Sequence, residues 1–446
     1  MKTGEFLQKH KLSEGDLVSL ITKDQAIMEG LIVPSANPEV LTLKLKNGYN
    51  AGISLENISQ ARKIGEGKSV GKPPVKETQK DSGKPTIAIL HTGGTIASRV
   101  DYNTGAVYAS FNESDLLTMF PELSQKVNII SEHLSNMWSD DIRSGHYSRM
   151  AKAVEKYSQK GVAGIIIGHG TDTMAYTSAA LAFMLENPPI PVLLVGAQRS
   201  SDRGSSDAAM NLDCAVEFIL NSGFAGVGIC MHYSTADGKC AILPACKTRK
   251  MHSSRRDAFK PVNDSPIALV DYSTKKIEFL KQDFERKDSG KKLVVKDKLE
   301  EKVAILKIHT NMIPEQFSFF EKNKYKGLVI EGTGLGHTPG FVPDDMALKN
   351  RGIIEAIESL AKSGCIIVMA TQCLFGRVQM HVYDKGVRLQ KAGVIPGEDM
   401  LPETAFVKLA WLLGNFPKEK AKELIGKNLR GEITERTLEE SFKLPE

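Results

Sequence analysis

Thr86-Ile87-Ala88-Ile89-Leu90-His91-Thr92-Gly93-Gly94-Thr95 and Val162-Ala163-Gly164-Ile165-Ile166-Ile167-Gly168-His169-Gly170-Thr171-Asp172-Thr173 share one grammar: an apolar run, a glycine-rich turn, then threonine hydroxyls. An unbroken apolar run of this length, closed by glycine, is the pattern of a strand buried on both faces, as in a parallel sheet covered by helices. Both motifs therefore fall at the carboxyl ends of such strands, the edge where open α/β sheets bind ligands. Further strands are expected at 127–132, 190–196 and 224–230, with helices near 113–119, 145–159, 173–187 and 204–221. That alternation specifies a sheet with helices on both faces.

Outward from this unit the character changes twice. The charged stretch Lys281 to Lys302 leads into a shorter α/β run, with strands expected at Val303 to His309, Gly327 to Ile330 and Cys365 to Ala370 and helices around 352–362 and 403–414. On the other side, Asp16 to Ile21, Ala26 to Val33, Val40 to Leu45 and Tyr49 to Ile53 are short β-prone runs, with Asn47-Gly48 as a hairpin signal. These predict a small curled sheet or barrel of the SH3 or Sm type, a docking unit with no catalytic group of its own. The expected layout is a barrel over 1–62, a Gly/Pro/Lys linker over 63–84, a larger α/β domain over 85–280, a connector over 281–302 and a smaller α/β domain over 303–446.

At 446 residues and 41% hydrophobic, the chain exceeds one compact core. Its apolar runs are strand-sized, short of the roughly 18–20 residues of a membrane-spanning helix, and the start Met1-Lys2-Thr3-Gly4-Glu5 has no apolar signal region. The expectation is a cytoplasmic protein with no membrane partner. Six scattered cysteines without a C-x-x-C pair read as reduced thiols, and the histidines lack zinc-site spacing, so no metal is expected. The net charge of +5 permits a polyanionic partner without requiring one. Between Arg62 and Lys84 seven basic residues face three acidic ones, the composition of a solvated linker.

The chemistry is expected at the two threonine motifs. Gly93-Gly94 can bring backbone N–H groups to a ligand beside the Thr95 hydroxyl, though a phosphate-cradling loop or a plain tight turn gives the same short text. No Walker or dinucleotide glycine pattern continues it. Asp172 or Thr173 can serve as N-cap of the following helix. A threonine hydroxyl needs an adjacent base or desolvated amine to become a nucleophile. Lys250, in Thr248-Arg249-Lys250-Met251-His252, is the candidate amine; on its own it reads first as a solvated surface lysine in a basic loop.

Thr92 to Ala97 (T-G-G-T-I-A), His169 to Met174 (H-G-T-D-T-M) and Lys250 placed nine residues before Phe259 resemble the bacterial-type L-asparaginase/glutaminase family. Gln372 to Val378 and Ala392 to Met400 continue the resemblance, in family order, over roughly residues 85–446. It implies the asparaginase-like two-domain α/β fold and four catalytic residues: Thr95, Thr171, Asp172 and Lys250. It also implies substrate-binding positions at Ser139, Asp140, Gly94 and Gly170, with a lid tyrosine at Tyr108 or Tyr102. Which threonine carries the acyl group stays open. In the family a neighbouring protomer closes the site through a turn that here reads Gly332-Thr333-Gly334-Leu335-Gly336-His337, with Leu335 and His337 where asparagines are frequent.

A small barrel, a basic linker and an asparaginase unit together resemble the D subunits of archaeal glutamyl-tRNA(Gln) amidotransferases. That resemblance implies hydrolysis of glutamine here, with ammonia passed to an E subunit. The E subunit uses ATP and Mg to amidate Glu-tRNA(Gln), so this chain needs no cofactor of its own. It further implies a homodimer through the asparaginase-like domains, two D with two E subunits, and tRNA(Gln) contact mainly through the partner. The alternative is a stand-alone L-asparaginase with an accessory N-terminal domain.

Overall fold

The computed structural model describes residues 2–33, 35, 38–45, 50–66, 81–93, 98–100, 107–109, 123–199, 206–287, 290–439 and 442. The Asn47-Gly48 turn, the helix expected at 113–119 and the linker lysines 68, 72, 76 and 80 lie outside them.

The N-terminal unit is a five-stranded antiparallel sheet. Its strands Asp16–Thr22, Ile27–Val33, Val40–Leu45 and Asn50–Ser54 run as a meander, and Ile58–Glu66 returns to pair with the first. Alternate residues of the first strand are buried, so Val18 and Leu20 enter a core with Ile32, Leu41, Leu43 and Ile53. The helix Thr3–His10 adds Phe6 to it. The last strand continues through Glu66, past the boundary expected at 62, because the register Asp16↔Glu66 keeps the ladder paired. Lys63 and Lys84, two of the linker's basic residues, hold ion pairs with Asp16 and Asp81.

The larger domain is built on an eight-stranded sheet. Five strands are parallel, in the order Asn128–His133, Thr86–His91, Gly164–Gly168, Pro191–Val195 and Gly226–His232. From Thr86–His91 the chain crosses first to one side and then to the other, which opens a crevice at the carboxyl ends of Thr86–His91 and Gly164–Gly168. Every residue of Gly164–Gly168 and Pro191–Val195 is buried. Three antiparallel strands, Lys239–Pro244, Ala268–Asp271 and Ile277–Phe279, extend the sheet beyond the strands expected from the sequence. The helix expected at 173–187 ends earlier, at Met184, because Leu185–Glu186 turns into a strand paired with Val294–Val295. The charged connector is thus packed onto the larger domain rather than free of it.

The smaller domain has four parallel strands, Val303–Lys307, Gly327–Gly332, Ile366–Thr371 and Val394–Pro396. The two domains share one core where the helix Met174–Met184 packs on the helix Pro402–Asn415. Phe183 stacks on Trp411 with ring centroids 5.6 Å apart, and the Trp411 indole N–H donates to the Lys296 carbonyl at 2.9 Å. Deleting a buried ring from such a contact costs about 3–5 kcal/mol. Phe183→Ala is therefore expected to lower the unfolding free energy by that amount in denaturant titration; a loss below about 1 kcal/mol would show that the helix contact does not hold the domains together.

Candidate active site

The parallel strand Thr86–His91 delivers Thr92 and Gly93 to the crevice, and Gly164–Gly168 delivers His169, Gly170, Thr171 and Asp172. The two ends are locked to each other: the Thr92 hydroxyl and N–H both donate to the Gly168 carbonyl, at 3.0 and 3.1 Å. Gly93 has φ +106°, and a Cβ there would stand 2.5 Å from the Met137 carbonyl oxygen, so only glycine fits. Gly94 and Thr95 lie outside the described residues, and so does Tyr102. Tyr108 belongs to the short strand Val107–Ala109, paired with Ser98–Val100.

Lys250 arrives from a separate two-stranded sheet outside the eight-stranded one. It ends the strand Thr248–Lys250, which pairs with Phe259–Pro261 in the register Lys250↔Phe259. The nine-residue spacing to Phe259 is the span of this hairpin. Lys250 Nζ donates to Thr171 Oγ1 at 2.9 Å and to Asp172 Oδ1 at 2.7 Å. Its side chain is 14% exposed, so it is no solvated loop lysine, whereas the Asp172 side chain is 68% exposed.

Ser139 braces this group. Its hydroxyl accepts from the Asp172 N–H at 3.2 Å, and its carbonyl accepts from the Thr173 hydroxyl at 2.5 Å. Neither Asp172 nor Thr173 caps the helix Met174–Met184 with its side chain, because both are engaged elsewhere. Gly170 is the surface Ser139 rests on: a Cβ at 170 would stand 2.9 Å from Ser139 Cβ and Oγ. Asp140, next to buried Ser139 in the short 3-10 turn Ser139–Asp141, is exposed. The structure therefore brings Thr171, Asp172, Lys250, Ser139 and Gly170 into one contact group, with Asp140 at its rim. The turn Gly332 to His337 is closed by a bridge between Thr333 and His337 in the smaller domain.

Behind the motif stands a buried relay that sequence reading missed. His169 is fully buried, and burial drives its pKa from 6.5 to about 4, so it is neutral. Its Nδ1 is 2.6 Å from the Gly170 carbonyl, so the proton sits on Nδ1 and the bare Nε2 accepts from the Thr177 hydroxyl at 2.8 Å. Tyr147, whose phenol burial pushes up to about 12, hydrogen bonds to Thr177. Nothing in the linear text joins Tyr147, Thr177 and His169. Among the described residues no cluster of three or more His, Cys, Asp or Glu side chains is placed to hold a metal ion, and no helix is long and apolar enough to cross a membrane. The cysteines are free, Cys373 exposed and the other five buried.

The neutral histidines fix a pH dependence of stability. Burial, with a smaller contribution from the nearby His133 charge, also lowers His91 from 6.5 to about 4. The unfolded chain takes up these protons at the ordinary value, so from pH 6.5 down to 4 it binds more protons than the folded chain and stability falls with pH. Unfolding free energy is expected to drop by roughly 2–3 kcal/mol per buried histidine between pH 6.5 and 4.5, above the range where most carboxylates titrate. His169→Asn is expected to remove the His169 share of that slope in denaturant titrations. A stability that is flat over this window would contradict the neutral assignment.

Residues 86–284 match the family Asparaginase, N-terminal, residues 302–424 the Glutaminase/Asparaginase C-terminal domain, and residues 12–64 the GatD N-terminal domain. Among solved structures the chain is similar to the thermostable L-asparaginase from Thermococcus kodakarensis, with TM-score 0.69 and 30% identity over 79% of this chain and 100% of that one. L-asparaginase I from Vibrio cholerae gives TM-score 0.67 and 27% identity over 79% and 99%. Over its whole length the chain is 45% identical to the D subunit of glutamyl-tRNA(Gln) amidotransferase from Thermococcus kodakarensis, covering 99% of each. With the D subunit from Pyrococcus furiosus the identity is 44%, over 99% of this chain and all of the relative. The chain belongs to the family of glutamyl-tRNA(Gln) amidotransferase D subunits, built on the asparaginase fold.

Proposed function

We propose that this chain hydrolyses the side-chain amide of glutamine by acyl transfer through a threonine and supplies the ammonia to a partner subunit that amidates Glu-tRNA(Gln). The observation that carries the chemistry is Lys250 Nζ held between Thr171 Oγ1 and Asp172 Oδ1, at 2.9 and 2.7 Å. Thr95 Oγ attacks the amide carbon and forms a C–O bond, leaving a tetrahedral oxyanion; as this collapses the C–N bond breaks, and the threonine proton leaves with the nitrogen as ammonia. Backbone N–H groups of the glycine turns hold the oxyanion. Lys250 takes the Thr171 proton, and Asp172 keeps the lysine in place. Thr171 then draws a proton from the water whose oxygen attacks the acyl carbon; the bond from that carbon to Thr95 Oγ breaks, glutamate leaves, and the proton held by Lys250 returns to Thr95 Oγ. Glutamine carries an α-ammonium, and the exposed Asp140 carboxylate at the rim is its counter-charge, with Ser139 and Gly170 forming the wall beside it. Tyr108 is assigned to the lid.

The relatives named for the amidotransferase match residues of the N-terminal unit as well as the asparaginase unit, which favours this reading over a stand-alone L-asparaginase. We assign no cofactor to this chain; ATP and Mg serve the partner. The assembly is two copies of this chain joined through the asparaginase-like domains and two E-type partners, with tRNA(Gln) held mainly by the partner. Released ammonia is useful only when an acceptor is present, so activity rises when the partner holds Glu-tRNA(Gln). The test is ammonia release from glutamine and from asparagine, with and without the E-type partner, ATP and Glu-tRNA(Gln). Glutamine hydrolysis stimulated by the full mixture is expected, and Thr95→Ala or Lys250→Met should lower it by about 100-fold or more. Strong unstimulated turnover of asparagine would sink the amidotransferase reading, and near-normal turnover by Lys250→Met would sink the site.

A further inference from the structure

Lys250 does not reach Thr171 unaided. Three residues earlier, Lys247 is completely buried and its ammonium lies 2.6 Å from Oδ2 of Asp399, also completely buried, and 3.0 Å from the Asp399 carbonyl oxygen. Asp399 belongs to the smaller domain. It also accepts from the Thr434 N–H at 3.0 Å and the Thr434 hydroxyl at 2.5 Å, and Arg377 stands 3.6 Å from its Oδ1. Two further contacts brace the same segment: the Thr404 hydroxyl donates to the Cys246 carbonyl at 2.9 Å, and Arg249 pairs with the buried Glu403 at 3.2 Å. On the other side the Lys247 carbonyl accepts from the Val262 N–H at 2.8 Å, closing the base of the hairpin.

A buried ion pair contributes little net stability compared with an apolar pair of similar volume, because desolvation of both charges offsets their attraction. What it does supply is one geometry. We propose that Lys247 and Asp399 are positioning residues for the reaction, fixing the Lys250 hairpin so that the smaller domain of the same chain sets where Lys250 Nζ stands against Thr171 and Asp172. The inference rests on the glutaminase reading above.

A second buried pair provides the control. Lys408 and Glu432 are equally buried at 2.6 Å, but Lys408 also donates to the Ile425 carbonyl at 2.9 Å and to the Lys427 carbonyl, so this pair ties the smaller domain to its own C-terminal segment. Lys247→Met combined with Asp399→Asn removes both charges while leaving an amide to bond Thr434. Lys408→Met combined with Glu432→Gln is its match. Glutamine turnover is measured on the full assembly with Glu-tRNA(Gln), beside the melting temperature of each variant.

The 247/399 variant is expected to fold and to lose about tenfold in kcat with KM within about twofold, as a small misplacement of a catalytic group does. The 408/432 variant should keep its kcat. A 247/399 variant with wild-type kcat, or two variants whose kcat falls together with their melting temperatures, would overturn the proposal. Should the 247/399 variant fail to fold, Arg249→Met decides: a severalfold loss of kcat at unchanged KM supports the brace, and unchanged kcat overturns it. Absence of glutaminase activity in the wild-type assembly would instead count against the function itself.

Discussion

The contact of Lys250 with Thr171 and Asp172 is the constraint on which the rest of the site depends. It joins groups nearly eighty residues apart, one on a parallel strand's carboxyl end and the other on an antiparallel hairpin. Each component is inert in isolation: a threonine hydroxyl is a poor nucleophile, a lone lysine is a solvated cation and an aspartate beside a helix is a cap. Held within hydrogen-bond distance they have the geometry that the proposed proton transfer requires. The sheet provides the position of Thr171, the hairpin provides Lys250, and Ser139 keeps Asp172 turned toward the amine.

The rigidity needed for this comes from buried polar groups behind the crevice. His169 is a fixed neutral spacer between the Gly170 carbonyl and Thr177, and Thr92 clamps the two motif-bearing strands together. The smaller domain adds its share through Asp399, Glu403 and Thr404, all of which contact residues 246–249. The domains are thus coupled twice, by the Phe183–Trp411 core and by the polar brace under the hairpin.

Much of this was legible in the chain. The all-apolar strands ending in Gly-Thr turns located the sheet edge, whereas the spacing from Lys250 to Phe259 carried only a family resemblance, and its physical basis, a two-stranded hairpin, is a finding of the structure. Element boundaries were less legible where tertiary pairing overrides local preference. The helix after Thr173 stops at Met184 because Leu185–Glu186 finds a partner strand at Val294–Val295, more than a hundred residues on. The antiparallel extension of the sheet was missed because short strands such as Ala268–Asp271 have too few residues to show a period. Tyr147, Thr177 and Lys247 carry no signal in the linear text, and Asp399 enters it only as one letter of the 392–400 resemblance: a buried lysine and a surface lysine are the same letter, and only packing tells them apart.

If Thr171, Lys250 and Asp172 act as one unit, their contributions to turnover cannot be independent. The direct measurement is a double-mutant cycle on glutamine hydrolysis with Thr171→Val, Lys250→Met and the two combined. Acting together, the pair predicts that the double variant loses no more than the worse of the two single variants, as groups sharing one catalytic step do. Losses that simply multiply would show two separate roles and contradict the account.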